Sequence, residues 1–243
     1  MWFRNIFCIP ALLFFLVGPT VLFGHELWLE PEKYQAETGQ TVGINIRNGE
    51  NFSGITLSYF PNRVDSFYWA QGSNQSDVVA RSGDIPAASV AFDTAGLVSF
   101  VYQSSKSSLT YTNWEKFKNF IDHKDLHFAL ADHQSRGLPE TGFKEVYFRF
   151  SKALVGINTA EGQDKVFGLE TEFVALENPY LDDLRDGFNV ALLYQGVPRK
   201  NAQIEIFERD PSGTVAVFKQ TTDDQGHALI SVKPGHQYLL DAV

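Results

Sequence analysis

Of 243 residues, one is cysteine and one methionine, and neither lies beyond Cys8. If the apolar start of the chain is removed, the remainder has no thiol. That excludes disulfides and thiolate metal sites and leaves His, Asp, Glu and amines as metal donors, a composition suited to an oxidising bacterial periplasm. Basic residues are also short: 20 Lys and Arg stand against 29 Asp and Glu, a net charge of −9 with no Lys/Arg cluster. Nucleic acid and anionic membrane are therefore excluded as partners, while cations are drawn in. There is no Gly-x-Ser-x-Gly elbow, His-Glu-x-x-His pair, phosphate loop or Gly-x-Gly-x-x-Gly fingerprint, so the expectation is a protein that is not an enzyme. No apolar run reaches the ~20 residues of a spanning helix.

What is present begins with a leader. Arg4 forms a charged start without an acid, and Ile6 to Val17 is an apolar stretch, together a secretory signal over residues 1–24. Cleavage after Gly24 makes His25 the first residue, and no stable membrane insertion remains. The expected location is periplasmic or secreted.

Thr41 to Ile46, Ile55 to Tyr59 and Val98 to Tyr102 alternate apolar with small or polar residues between Gly-containing turns, the pattern of short antiparallel strands with one buried face. The first lobe is expected as a β-sandwich within residues 25–180. Inside it the period changes. Thr112-Asn113-Trp114-Glu115 reads as a capping box, and Trp114, Phe117, Phe120, Ile121, Phe128 and Ala131 recur at helical spacing. One amphipathic helix over 112–133 is expected to lay this stripe on the sandwich. Asn178-Pro179-Tyr180 with Asp182-Asp183 marks a boundary. From 185 to 243, short strands and tight turns describe a second, smaller sandwich. The class is mainly β: two β-sandwich lobes, immunoglobulin-like in pattern, with one inserted helix.

Three histidines are candidate metal ligands. A free His25 offers an α-amine that yields its proton to a metal and an imidazole that closes a ring with it, or it simply begins an edge strand. His123 and His127, four apart on the expected helix, come within roughly 5–6 Å at Cβ, close enough for one ion. Asp122 and Asp125 stand beside them. The plainer reading of that pair is a solvated helix face. His133, His227 and His236 are isolated, the last two in turns. Arg149 and Lys152 lie beside Tyr147 and Phe150 on a strand-like segment, where the Arg either pairs with an acid such as Glu30 or Glu26 or receives an anionic ligand.

The segment Tyr194 to Phe207, then Thr222-Asp223-Asp224-Gln225-Gly226-His227-Ala228, then Lys233 to Leu240, resembles the transthyretin-like or carboxypeptidase-regulatory-like module. His25 to Pro31, Tyr102-Gln103-Ser104, Leu109 to Phe117, Tyr147 to Leu154 and Glu177 to Tyr180 extend the likeness over the whole chain. Together they resemble a bacterial domain-of-unknown-function family often labelled periplasmic nickel or cobalt uptake. That resemblance implies an exported accessory of metal uptake binding Ni or Co, with Cu as the alternative. The partner it implies is a membrane metal transporter or another envelope protein. Two other readings stand beside it: a non-catalytic interaction module of the envelope, and a copper oxygenase with an N-terminal histidine brace. Such proteins continue beyond the strand that ends at Val243, so the last sheet is expected to be cut short with an unpaired edge.

Overall fold

The computed structural model describes residues 25–243, so the leader expected over residues 1–24 lies outside the described residues. The described residues are mainly β, 47% strand and 11% helical. Its strands are β1 (Glu26–Pro31), β2 (Gln35–Ala36), β3 (Thr41–Glu50), β4 (Ser53–Leu57), β5 (Val64–Gln71), β6 (Asn74–Asp77), β7 (Ala88–Ala91), β8 (Gly96–Ser104) and β9 (Ser107–Tyr111). After two helices follow β10 (Phe143–Tyr147), β11 (Phe150–Ile157), β12 (Thr171–Ala175), β13 (Phe188–Tyr194), β14 (Val197–Pro198), β15 (Gln203–Arg209), β16 (Val215–Thr221), β17 (His227–Ile230) and β18 (Gln237–Asp241).

In the first lobe, one sheet holds β1, β3 and β4 with β7 also on β3, and the other runs β2-β11-β8-β5-β6. Period-two alternation directs Ile44, Ile46, Val98, Phe100, Val155 and Ile157 into one core between them. The second lobe pairs β12, β14 and β17 with β13 in one sheet and orders the other β16-β15-β18. Val190, Leu192, Ile204, Ile206 and Ile230 fill its core. Because β12 pairs with β13, residues 171–175 belong by hydrogen bonding to the second lobe. The sequence grouped them with the first, since Asn178-Pro179 was the strongest break in sight.

Between β8 and β11 sits the insert, where the structure corrects the single expected helix. Residues Trp114–Lys124 form α1 and His127–Ser135 form α2. Asn113, not Thr112, caps the start, its side-chain oxygen accepting from the amides of Glu115 and Lys116 at 2.9 and 3.3 Å. Asp125 adopts the left-handed conformation (φ 56°, ψ 43°) and ends α1. The stripe also packs elsewhere than on the sandwich. Trp114, Phe117 and Ile121 meet Tyr111 and Phe143 of the antiparallel β9–β10 pair in a small core of their own, with His133 buried among the rings. Phe128, at helical spacing by coincidence, is 70% exposed.

The lobes are joined through aromatics. Trp28 of β1 and Phe52, ring centroids 5.7 Å apart, pack with Phe207 of β15. Asn51 and Phe52 form the two-residue turn between β3 and β4 with φ of 53° and 57°. Left-handed backbone is costly for a bulky residue, and here it aims the Phe52 ring at the other lobe. Arg209 lies 4.0 Å over that ring and pairs with Glu30, which also holds Arg47 at 3.0 Å.

Candidate functional site

The register of β1 on β3, Glu26 opposite Gly49, sets His25 opposite Glu50. The imidazole Nε2 stands 3.5 Å from Glu50 Oε1, with 46% of the His25 side chain exposed. One residue further along, the pleat turns Glu26 inward, where it is buried with its Oε2 lacking a hydrogen-bond partner.

Glu26 faces a charged cluster built from all three parts of the molecule. Lys124, buried at the end of α1, sends its Nζ to Asp241 Oδ2 at 2.7 Å, to Glu205 and toward Glu26 Oε1 at 3.7 Å. Glu205 and Asp241 face one another across β15 and β18. His123 Nε2 lies 2.8 Å from Glu205 Oε1, and the carbonyl of His123 accepts from Gln203 and from Lys219. Three carboxylates surround the Lys124 ammonium, with the half-exposed Lys219 3.7 Å from Glu205 at the rim, and Glu26, which has Lys124 alone at 3.7 Å, is the weakest member. Burial pushes the Glu26 carboxyl from 4.5 up to about 7, against the pull of Lys124 and with the help of Asp241. Burial also lowers the His123 imidazole, opposed by Glu205. On Lys124 burial acts downward as well, but the carboxylates of Asp241 and Glu205 outweigh it and the ammonium is raised.

Among the described residues, Glu26, Glu205 and Asp241 are the one group of three carboxylate or imidazole residues whose ligand atoms lie within 4.8 Å of one another. Lys124 already supplies the cation there, so this cluster ties α1 to both lobes.

The three candidate histidines occupy three different settings. His25 is at the start of β1, and His123 is engaged with Glu205 at the end of α1. His127, 68% exposed at the start of α2, has Nδ1 3.5 Å from Asp122 and Nε2 3.2 Å from Asp125. The break at Asp125 places His123 and His127 on different helices. Arg149 does not meet Glu30 or Glu26: its guanidinium stacks over Tyr147 at 5.0 Å, while those acids serve Arg47, Arg209 and Lys124. The charged cluster escaped sequence reading because its members are up to 215 positions apart, from Glu26 to Asp241. A hint existed in Glu205, an acid inside the apolar run Ile204 to Phe207.

A cleft of about 1020 Å³ opens between the lobes, with His25 and Lys124 among its lining residues. Leu27, Phe150, Phe173, Phe188 and Leu240 give it apolar walls. No helix of the described residues is long and apolar enough to cross a membrane.

A family model described as "Domain of unknown function (DUF4198)" matches residues 22–243, and the chain belongs to that family. No curated protein matches. One solved structure, described as a tetra-tandem repeat in the extending region of a large adhesion protein, is similar at 12% identity and a TM-score of 0.25. The match covers 90% of this chain and spans 41% of the other.

Proposed function

We propose that this is an exported envelope protein that binds a divalent transition metal, nickel or cobalt, at His25 as an accessory of metal uptake, with a transthyretin-like second lobe. The observation that carries the reading is the Glu50 carboxylate facing Nε2 of His25 at 3.5 Å. At this distance the pair is an electrostatic contact, and a small closure would let the carboxylate hold the Nε2 proton and leave Nδ1 basic, the arrangement that supports metal-bound histidines. With the leader removed, Nδ1 and the α-amine of the same residue close a chelate ring, and nitrogen donors suit nickel, cobalt and copper. His123 and His127 are weaker anchors. Carboxylates face these two imidazoles as well, Glu205 at 2.8 Å from His123 and two exposed aspartates at His127, but neither residue brings an α-amine to close a chelate ring. The acidic surface raises the local cation concentration, which assists capture.

Calorimetric titration of the processed protein with Ni²⁺ tests the reading. His25→Ala abolishes tight binding, and Glu50→Gln weakens it about tenfold to a hundredfold. Retention of full affinity in His25→Ala would overturn it.

A further inference from the structure

We infer that the insert between β8 and β11 is a jointed arm that swings as a unit, held closed against the second lobe by a polar latch at the end of α1. The insert has a core of its own. Tyr111, Phe117 and Ile121 are buried there, and the residues packed on them run from Trp114 to Phe143, all within the insert. An arm that leaves the second lobe therefore takes this core with it intact. Its junction with the first lobe is a break in a ladder. Gln103 stands opposite Phe150 and Ser107 opposite Tyr147, so three residues, 104–106, face two, 148–149. One extra residue interrupts the ladder and bends the pair. Ser104 Oγ accepts from the amide of Arg149 at 2.9 Å, a side chain standing in for a ladder carbonyl. Ser105 fixes the base of the joint, its amide and hydroxyl donating to the carbonyls of Arg63 and Asn62 at 3.0 Å each. A few residues of this kind between rigid bodies absorb the backbone change of a hinge.

The hold on the second lobe is polar and leaves from one place. Among the described residues, every hydrogen bond and ion pair from the insert to that lobe involves His123 or Lys124. Gln203 and Glu205 receive them from one face of β15, with Lys219 of β16 opposite Glu205. The Gln203 amide and the Lys219 ammonium donate to the His123 carbonyl at 2.8 and 2.6 Å, while Glu205 takes the His123 imidazole and the Lys124 ammonium. Pairing of buried charges returns little more than their desolvation costs, since each regains water on release. The apolar cores of the two lobes have no such offset. The arm therefore opens at far lower free energy than either lobe unfolds. Opening hydrates Glu205 and takes the Lys124 ammonium from Glu26 and Asp241. Because Gln203, Glu205 and Lys219 lie on β15 and β16, the latch does not depend on Asp241. The inference does not rest on metal binding at His25.

Pulsed electron double resonance on the chain beginning at His25 tests it. That chain has no cysteine, so nitroxides can be placed at Asn119→Cys on α1 and Asp224→Cys on the second lobe, both exposed positions. Gln203→Ala with Lys219→Ala removes the two side chains that hold the His123 carbonyl, and the population at longer distance rises about tenfold. Lys124→Met makes that population the major one. In the double variant the helical circular dichroism signal, which comes from α1 and α2, stays unchanged because the insert moves without unfolding. Neither Gln203 nor Lys219 belongs to a hydrophobic core, so this variant decides the matter even where Lys124→Met does not fold. Two results would overturn the inference: no increase at longer distance in the double variant, or an increase accompanied by loss of the helical signal. The second would make the change a local unfolding of the insert.

Discussion

Glu26→Gln should make the protein more stable above neutral pH while leaving it unchanged in acid. In the folded chain the Glu26 carboxyl is raised from 4.5 to about 7, chiefly by burial. A folded-state pKa above the unfolded value means that the native state holds the proton more tightly. The contribution is therefore fully present below pH 4.5, is lost as pH rises through about 7, and is absent beyond. At 1.36 kcal/mol per pKa unit, the loss amounts to about 3 kcal/mol. Glutamine keeps the shape, carries no charge and does not titrate. Lowering of His123 acts in the opposite sense at acidic pH, since a depressed imidazole resists the proton it must take up. Because His123 is present in both proteins, their difference isolates Glu26. Urea unfolding followed by tryptophan fluorescence at pH 5, 6, 7 and 8 provides the measurement, with Trp28 buried at the lobe junction as reporter. The gap between variant and wild type should open by about 2.5 kcal/mol from pH 5 to pH 8, the rest of the change falling below pH 5. Parallel curves across that window would refute the account of the buried cluster.

Lys124→Met leaves Glu26 and Asp241 without an ammonium and Glu205 with the half-exposed Lys219 alone, and should destabilise the protein by about 3 kcal/mol by urea unfolding, with Glu26→Gln recovering part of the loss. Phe117→Asp places a charge among Trp114, Tyr111 and Phe143, and circular dichroism should show loss of the helical signal. Phe52→Ala removes the ring between Trp28 and Arg209 and should cost about 3 kcal/mol in the same unfolding assay, less what is regained from relaxing the left-handed turn.

What was legible in the sequence was local. Alternation in Thr41 to Ile46 and Val98 to Tyr102 marked strands of the first core because each buries one face in water's absence, and the structure builds β3 and β8 from them. The aromatic periodicity of Trp114, Phe117 and Ile121 likewise marked a buried helical face. The break at Asp125 was hidden, since Phe128 and Ala131 continued the spacing and only the distant anchoring of Lys124 on Glu205 and Asp241 accompanies the turn. Membership of β12 was hidden for the same reason: its partner β13 lies beyond the Asn178-Pro179 break, and pairing across a loop leaves no periodic trace. Of the candidate site, His25 was visible as the residue after the expected leader, but its Glu50 neighbour follows only from the register of β1 on β3.

The central claim is that His25 anchors a metal through its own α-amine. The most direct measurement is Ni²⁺ titration of two proteins verified by intact mass, one beginning at His25 and one carrying a single additional residue before it. The addition keeps the imidazole and Glu50 but turns the amine into an amide. Affinity should fall by at least a hundredfold, and in the first protein it should weaken below pH about 6 as protons compete for the imidazole. Equal affinity in the two proteins would contradict the claim.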